Sequence, residues 1–115
     1  MIAQYKCRYF FDPGAGVCLW SANDEANKRF DYAVNLDELH LPDNLLREAI
    51  HLITWLDTSI DWSNPSGPSP WSADERQRFN DAAQVLLGHF RQQLGSEFEI
   101  KDESHSVAKI GRAHV

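Results

Sequence analysis

A chain of 115 residues that is 43% hydrophobic, 24% charged and 11% aromatic has the size and composition of one globular domain, with little room for a second core. Seventeen acidic against eleven basic residues give a formal net charge of −6, which disfavours a binder of nucleic-acid phosphates and suits a partner with a basic surface. No run approaches the roughly 18 apolar residues of a membrane span, and the N-terminus lacks the basic-then-apolar order of a secretory signal. A soluble cytoplasmic protein without a membrane role is therefore expected, its cysteines, Cys7 and Cys18, kept as thiols.

Residues 4 to 11 alternate, with Tyr5, Cys7, Tyr9 and Phe11 on one face and Lys6 and Arg8 on the other, the period of a half-buried strand. Asp12-Pro13-Gly14-Ala15-Gly16 supplies a turn, and Val17-Cys18-Leu19-Trp20 returns as a second strand. A hairpin centred near Gly14 sets Cys7 opposite Ser21, away from Cys18, so no cross-strand disulfide is expected. Ser21 or Asn23 is placed to cap a short helix from Asp24 to Phe30, whose acids come first and bases last.

Residues 32 to 42 lose periodicity and read as a loop laid across the core, with Val34, Leu36, Leu39 and Leu41 inward and Asp37 and Glu38 outward. Asp43 is expected to cap a long helix from Asn44 to about Ile60, its apolar stripe formed by Leu45, Leu46, Ala49, Ile50, Ile53, Leu56 and Ile60. The prolines between Trp62 and Trp71 stop that helix. Ser72-Ala73-Asp74-Glu75 is a capping box that starts a second long helix. There Phe79, Ala82, Ala83, Leu86, Leu87, Phe90 and Leu94 keep the helical period, and Gly95 stands where a left-handed residue ends it. Glu97 to Lys101 alternates again as a third strand. The expectation is one α+β domain over residues 1 to 101, in which an N-terminal β-hairpin and a C-terminal strand form a small antiparallel sheet packed against two long helices, followed by a disordered tail from residue 102.

Asp57 and Asp61 stand four residues apart at a helix end that is already partially negative, where stability alone favours Lys or Arg. A local rule broken without visible compensation marks a candidate functional surface. Together with Trp62, Ser63 and Trp71 they form a candidate partner-binding site, a large ring to anchor and acids to steer a basic protein. A structural role accounts for the same residues: an aspartate bonding a nearby loop amide or hydroxyl, or pairing with Arg76 or Arg78, and the two rings covering the core end, with Trp71 packed on Arg76.

Other chemistry is poorly supplied. His40, His51, His89 and His105 are scattered, without a paired-histidine or Cys-x-x-Cys spacing, so neither a metal nor another cofactor is expected. The Gly14-x-Gly16 turn precedes a strand and lacks the lysine of a phosphate loop. Cys18 with His51 or His89 is the nearest approach to a nucleophile and base. The leading expectation is thus a protein-binding module and no catalytic residues; a small enzyme or ligand-binding domain with its pocket near Cys18 and Trp20, or a housekeeping interaction domain, is the alternative.

Tyr9-Phe10-Phe11-Asp12 with Gly14 and Gly16, Cys18-Leu19-Trp20-Ser21-Ala22-Asn23-Asp24, then Trp55, Asp57-Thr58-Ser59, Trp62 and Pro68-Ser69-Pro70-Trp71 look like a group of small bacterial proteins over residues 5 to 101. These resemble the immunity proteins of bacterial toxin systems. The resemblance implies an acidic cytoplasmic chain that binds and blocks a cognate toxin domain, and it carries over no particular residue. Lys109 to Val115 in turn resembles the translation of a sequencing adapter; without Lys109 and Arg112 the net charge is −8, and the natural chain is expected to depart from this one near Ala108.

Overall fold

The structure, a computed structural model, describes residues 2–104. The fold is α+β: a three-stranded sheet carries its helices on one face. Strand β1 spans Tyr5–Tyr9 and β2 spans Leu19–Ser21. They pair antiparallel with Cys7 opposite Ser21 and Tyr9 opposite Leu19, the register expected from a turn at Gly14. Gly14 and Gly16 take φ of 84° and 78°, a region glycine enters without steric cost. Both thiols are buried and unbridged.

Helix α1, Asp24–Phe30, is capped by Asn23, whose side chain accepts from the Ala26 amide at 3.0 Å. Within the expected loop the structure adds a 3-10 turn at Leu36–Leu39, capped by Asn35, with Leu36 buried and Asp37 and Glu38 exposed. Helix α2 spans Asp43–Asp57 and α3 spans Ala73–Leu94. Pro42, not Asp43, is the N-cap of α2, and the helix stops three residues short of Ile60. There the Thr58 hydroxyl donates to the Trp55 carbonyl at 2.7 Å and the Thr58 and Ser59 amides close tight turns onto Trp55 and Leu56, local bonds that compete with the helical ladder.

The buried stripe of α2 is Leu45, Ala49, Leu52 and Leu56. Ile50 faces solvent, because one position beyond Ala49 is about 100° further round the helix. On α3 the buried residues Phe79, Ala83, Leu86, Leu87 and Phe90 match the expected face. Its capping box is half realised. Ser72 Oγ accepts from the Glu75 amide at 3.1 Å, but the Glu75 carboxylate accepts the Trp55 indole N–H at 2.9 Å and so ties α3 to α2. His89 Nδ1, 2.8 Å from Glu48, joins the same two helices further along.

The sheet is mixed, not antiparallel. Strand β3, Phe98–Asp102, lies parallel to β1 with Tyr5 opposite Phe98 and Tyr9 opposite Asp102, giving the order β2-β1-β3. Alternation in residues 97 to 101 says which side chains face the core and nothing about direction. Direction follows from α3, about 33 Å long at 1.5 Å per residue, which delivers the chain to the end of the sheet where β1 starts. Gly95 (φ 69°) and the short 3-10 turn Gly95–Glu97 reverse it there. The expected tail also begins too early. Asp102 belongs to β3, the Glu103 amide donates to Tyr9, and its carboxylate pairs with Arg8 at 2.7 Å. Residues 109 to 115 lie outside the described residues.

Candidate functional site

Three segments converge where α2 ends: that helix terminus, the hairpin turn of residues 12 to 16, and the loop between α2 and α3. Asp57 Oδ1 accepts the Gly14 amide at 2.9 Å, so the carboxylate that looked misplaced on its own helix holds the hairpin turn. The indole N–H of Trp62 donates to the Asp57 carbonyl at 2.9 Å, satisfying one of the orphan acceptors of a helix end. Trp62 also lies against the turn: a Cβ on Gly14 would stand 3.4 Å from Trp62 Cη2. The ring is thus fixed at its N–H and along one edge, yet the residue is 56% exposed.

Asp61 Oδ1 accepts from Ser63 twice, from the hydroxyl at 2.6 Å and the amide at 3.1 Å. The Ser63 hydroxyl, and then its amide, hold the Asp61 carboxyl below the usual aspartate range, since bonds to the ionised form favour it. Asp61 and Ser63 are both exposed. Asp61 thus bonds a loop amide and hydroxyl as its structural reading had it, and neither aspartate forms the alternative pair with Arg76 or Arg78. Arg76 donates to the Trp71 carbonyl at 3.1 Å, and Arg78 lies 4.0 Å from Asp74.

Trp71 does not belong to this surface. It is 5% exposed, donates to Thr58 Oγ1 at 2.8 Å, and its ring centroid lies 5.7 Å from that of Trp55 and 5.3 Å from that of Phe79. Its amide meets Ser69 Oγ, which donates to the Ser59 carbonyl. Trp71 is the core anchor of the proline-rich loop, as the structural reading of it had it. The structure therefore brings Asp57, Asp61, Trp62 and Ser63 together and moves Trp71 inside. It adds Gly14 to the rim. The turn glycine was visible in the sequence, but no local signal says that it faces α2.

The segments that build this site carry no basic residue of their own. No Lys or Arg occurs between Arg8 and Lys28 or between Arg47 and Arg76, and those two stretches supply the turn, the end of α2 and the whole loop. Their acids are Asp12 in the turn, Asp57 at the helix end and Asp61, the residue before Trp62.

The alternative pocket is filled. Cys18 has no exposure and burial pushes its thiol up to about 12, so almost no thiolate is present near neutrality. Trp20 is buried under Phe10, stacked at 4.7 Å, and Tyr32 at 5.3 Å. A depression of about 220 Å³ lined by Arg8, Phe10, Phe11, Phe79 and Glu103 adjoins Trp20 through Phe10, which stacks on it, and is smaller than the roughly 300–1,000 Å³ of ligand pockets. Among the described residues no group of His, Cys, Asp or Glu has the arrangement of a metal site. Among the described residues no helix is long and apolar enough to cross a membrane. No protein-family model matches the chain, and no curated protein matches it either.

Proposed function

We propose that this chain is a protein-binding module of the immunity type, which occludes a basic surface of a bacterial toxin domain with the end of the molecule formed by Trp62, Asp61, Ser63 and Asp57. One observation carries the reading: a tryptophan pinned at its N–H and edge, yet more than half exposed, in a site whose segments carry acids and no Lys or Arg. An exposed ring held in one orientation loses little entropy on docking and so is suited to be an anchor. The surrounding carboxylates steer a basic partner and speed its encounter. Asp57 acts mainly through Gly14 and Trp62, as a positioning residue.

The test uses the product of a gene adjacent to this one at its locus that ends in a basic domain. That domain is expressed in a bacterial host with this chain, or with its Trp62→Ala, Asp61→Lys double variant. Growth arrest relieved by the parent chain and not by the variant is the expected result, with the variant retaining its far-UV spectrum and melting temperature. Adjacent genes without such a domain, or equal rescue by the variant, would overturn the proposal.

A further inference from the structure

We infer that the group the partner seats on this surface is an arginine guanidinium, stacked on the open face of Trp62 beside Asp61; this rests on the reading of the site as a dock for a basic protein. The indole has already used its donor on the Asp57 carbonyl and one edge on Gly14. What it offers outward is its π face, the negative side of the ring quadrupole, which attracts a cation. Asp61, the residue before it, is kept ionised by the two bonds from Ser63, and the two contributing stretches hold no Lys or Arg to compete for either group.

An apolar anchor fits less well, because seating one would strip water from carboxylates it cannot pair with. Between the two basic side chains the geometry separates them. A guanidinium is planar and weakly hydrated, and it can lie flat on the indole while its edge N–H groups reach a carboxylate. An ammonium is a compact, strongly hydrated charge that keeps its water at a surface site. The surface is thus built to prefer arginine over lysine at equal charge.

The experiment titrates the full chain, ¹⁵N-labelled, with capped tetra-arginine and tetra-lysine peptides at one ionic strength. It follows the Trp62 indole N–H resonance, assigned with Trp62→Leu, and the backbone amides of the same loop, which report affinity in that variant as well. Both peptides should move that resonance, the arginine peptide should bind about threefold more tightly or better, in line with an exposed cation–π contact, and Trp62→Leu should remove the difference. Equal affinity for the two peptides would overturn the arginine inference and leave the docking surface standing. A Trp62 resonance that neither peptide moves would overturn both.

Discussion

Two tryptophans flank one loop and do opposite things, and the difference lies in where each indole N–H is satisfied. Trp71 finds Thr58 Oγ1 inside the aromatic cluster of Trp55 and Phe79, so its ring is part of the packing. Trp62 finds the Asp57 carbonyl at a helix end, which leaves its face in water. Trp71→Ala should therefore cost about 3–5 kcal/mol, the range for deleting a buried aromatic. Trp62→Ala should cost about 1 kcal/mol or less, the worth of one exposed hydrogen bond and a ring edge. Urea unfolding of both variants measures the contrast; a Trp62→Ala loss as large as that of Trp71→Ala would make Trp62 a structural residue.

The elements show how far local rules reach. The period of α3, the cap at Asn23, the hairpin turn and its register follow from nearest-neighbour chemistry and stand in the structure as read. What local rules missed was settled by groups distant in the chain. Glu75 gave up its half of the capping box to Trp55, and Asp57 sat badly on its own helix because its partner is a turn amide 43 positions away. One element end holds strain of its own. Asp31 closes α1 at φ 64°, ψ −177°, a region favourable only to glycine and worth about 1–3 kcal/mol of strain for another residue. Its amide donates to Asn27 and its carbonyl accepts from Ser21 Oγ, bonds that survive loss of the side chain. Asp31→Gly should stabilise the fold by about 1 kcal/mol, the relief of strain exceeding the roughly 0.5–1 kcal/mol entropy cost of a glycine. A denaturation midpoint that falls would show that the carboxylate, not the backbone, matters there.

At the scale of the whole molecule the C-terminal ends of β1 and β3 are held by the ion pair of Arg8 with Glu103, which Lys101 joins at 3.6 Å. The hydrogen bond from Arg8 is the main reason that the Glu103 carboxyl lies below its ordinary range. A carboxyl whose folded pKa is lowered contributes stability that is complete above its unfolded value, near 4.5, and lost as pH falls through the folded one. Glu103→Gln should accordingly be less stable than the parent at about pH 7, and the gap should close by about pH 3. Urea midpoints across that range check it; a gap independent of pH would mean that the pair contributes through shape alone.

The amino-acid sequence by itself determined the α+β class, the helix faces, the turn glycines and the acidic balance, because each depends on residues within a few positions of one another or on composition alone. It also marked Asp57, Asp61 and Trp62 as unusual, since a charge that opposes its helix end is a local fact. Only the tertiary structure decided that β3 runs parallel to β1, that Trp71 is core and Trp62 is surface, and that Cys18 and Trp20 are buried. Those outcomes depend on which end of a long helix delivers the chain and on which distant group satisfies each buried donor. Such choices are settled when the layers pack, and no window of neighbouring residues contains them.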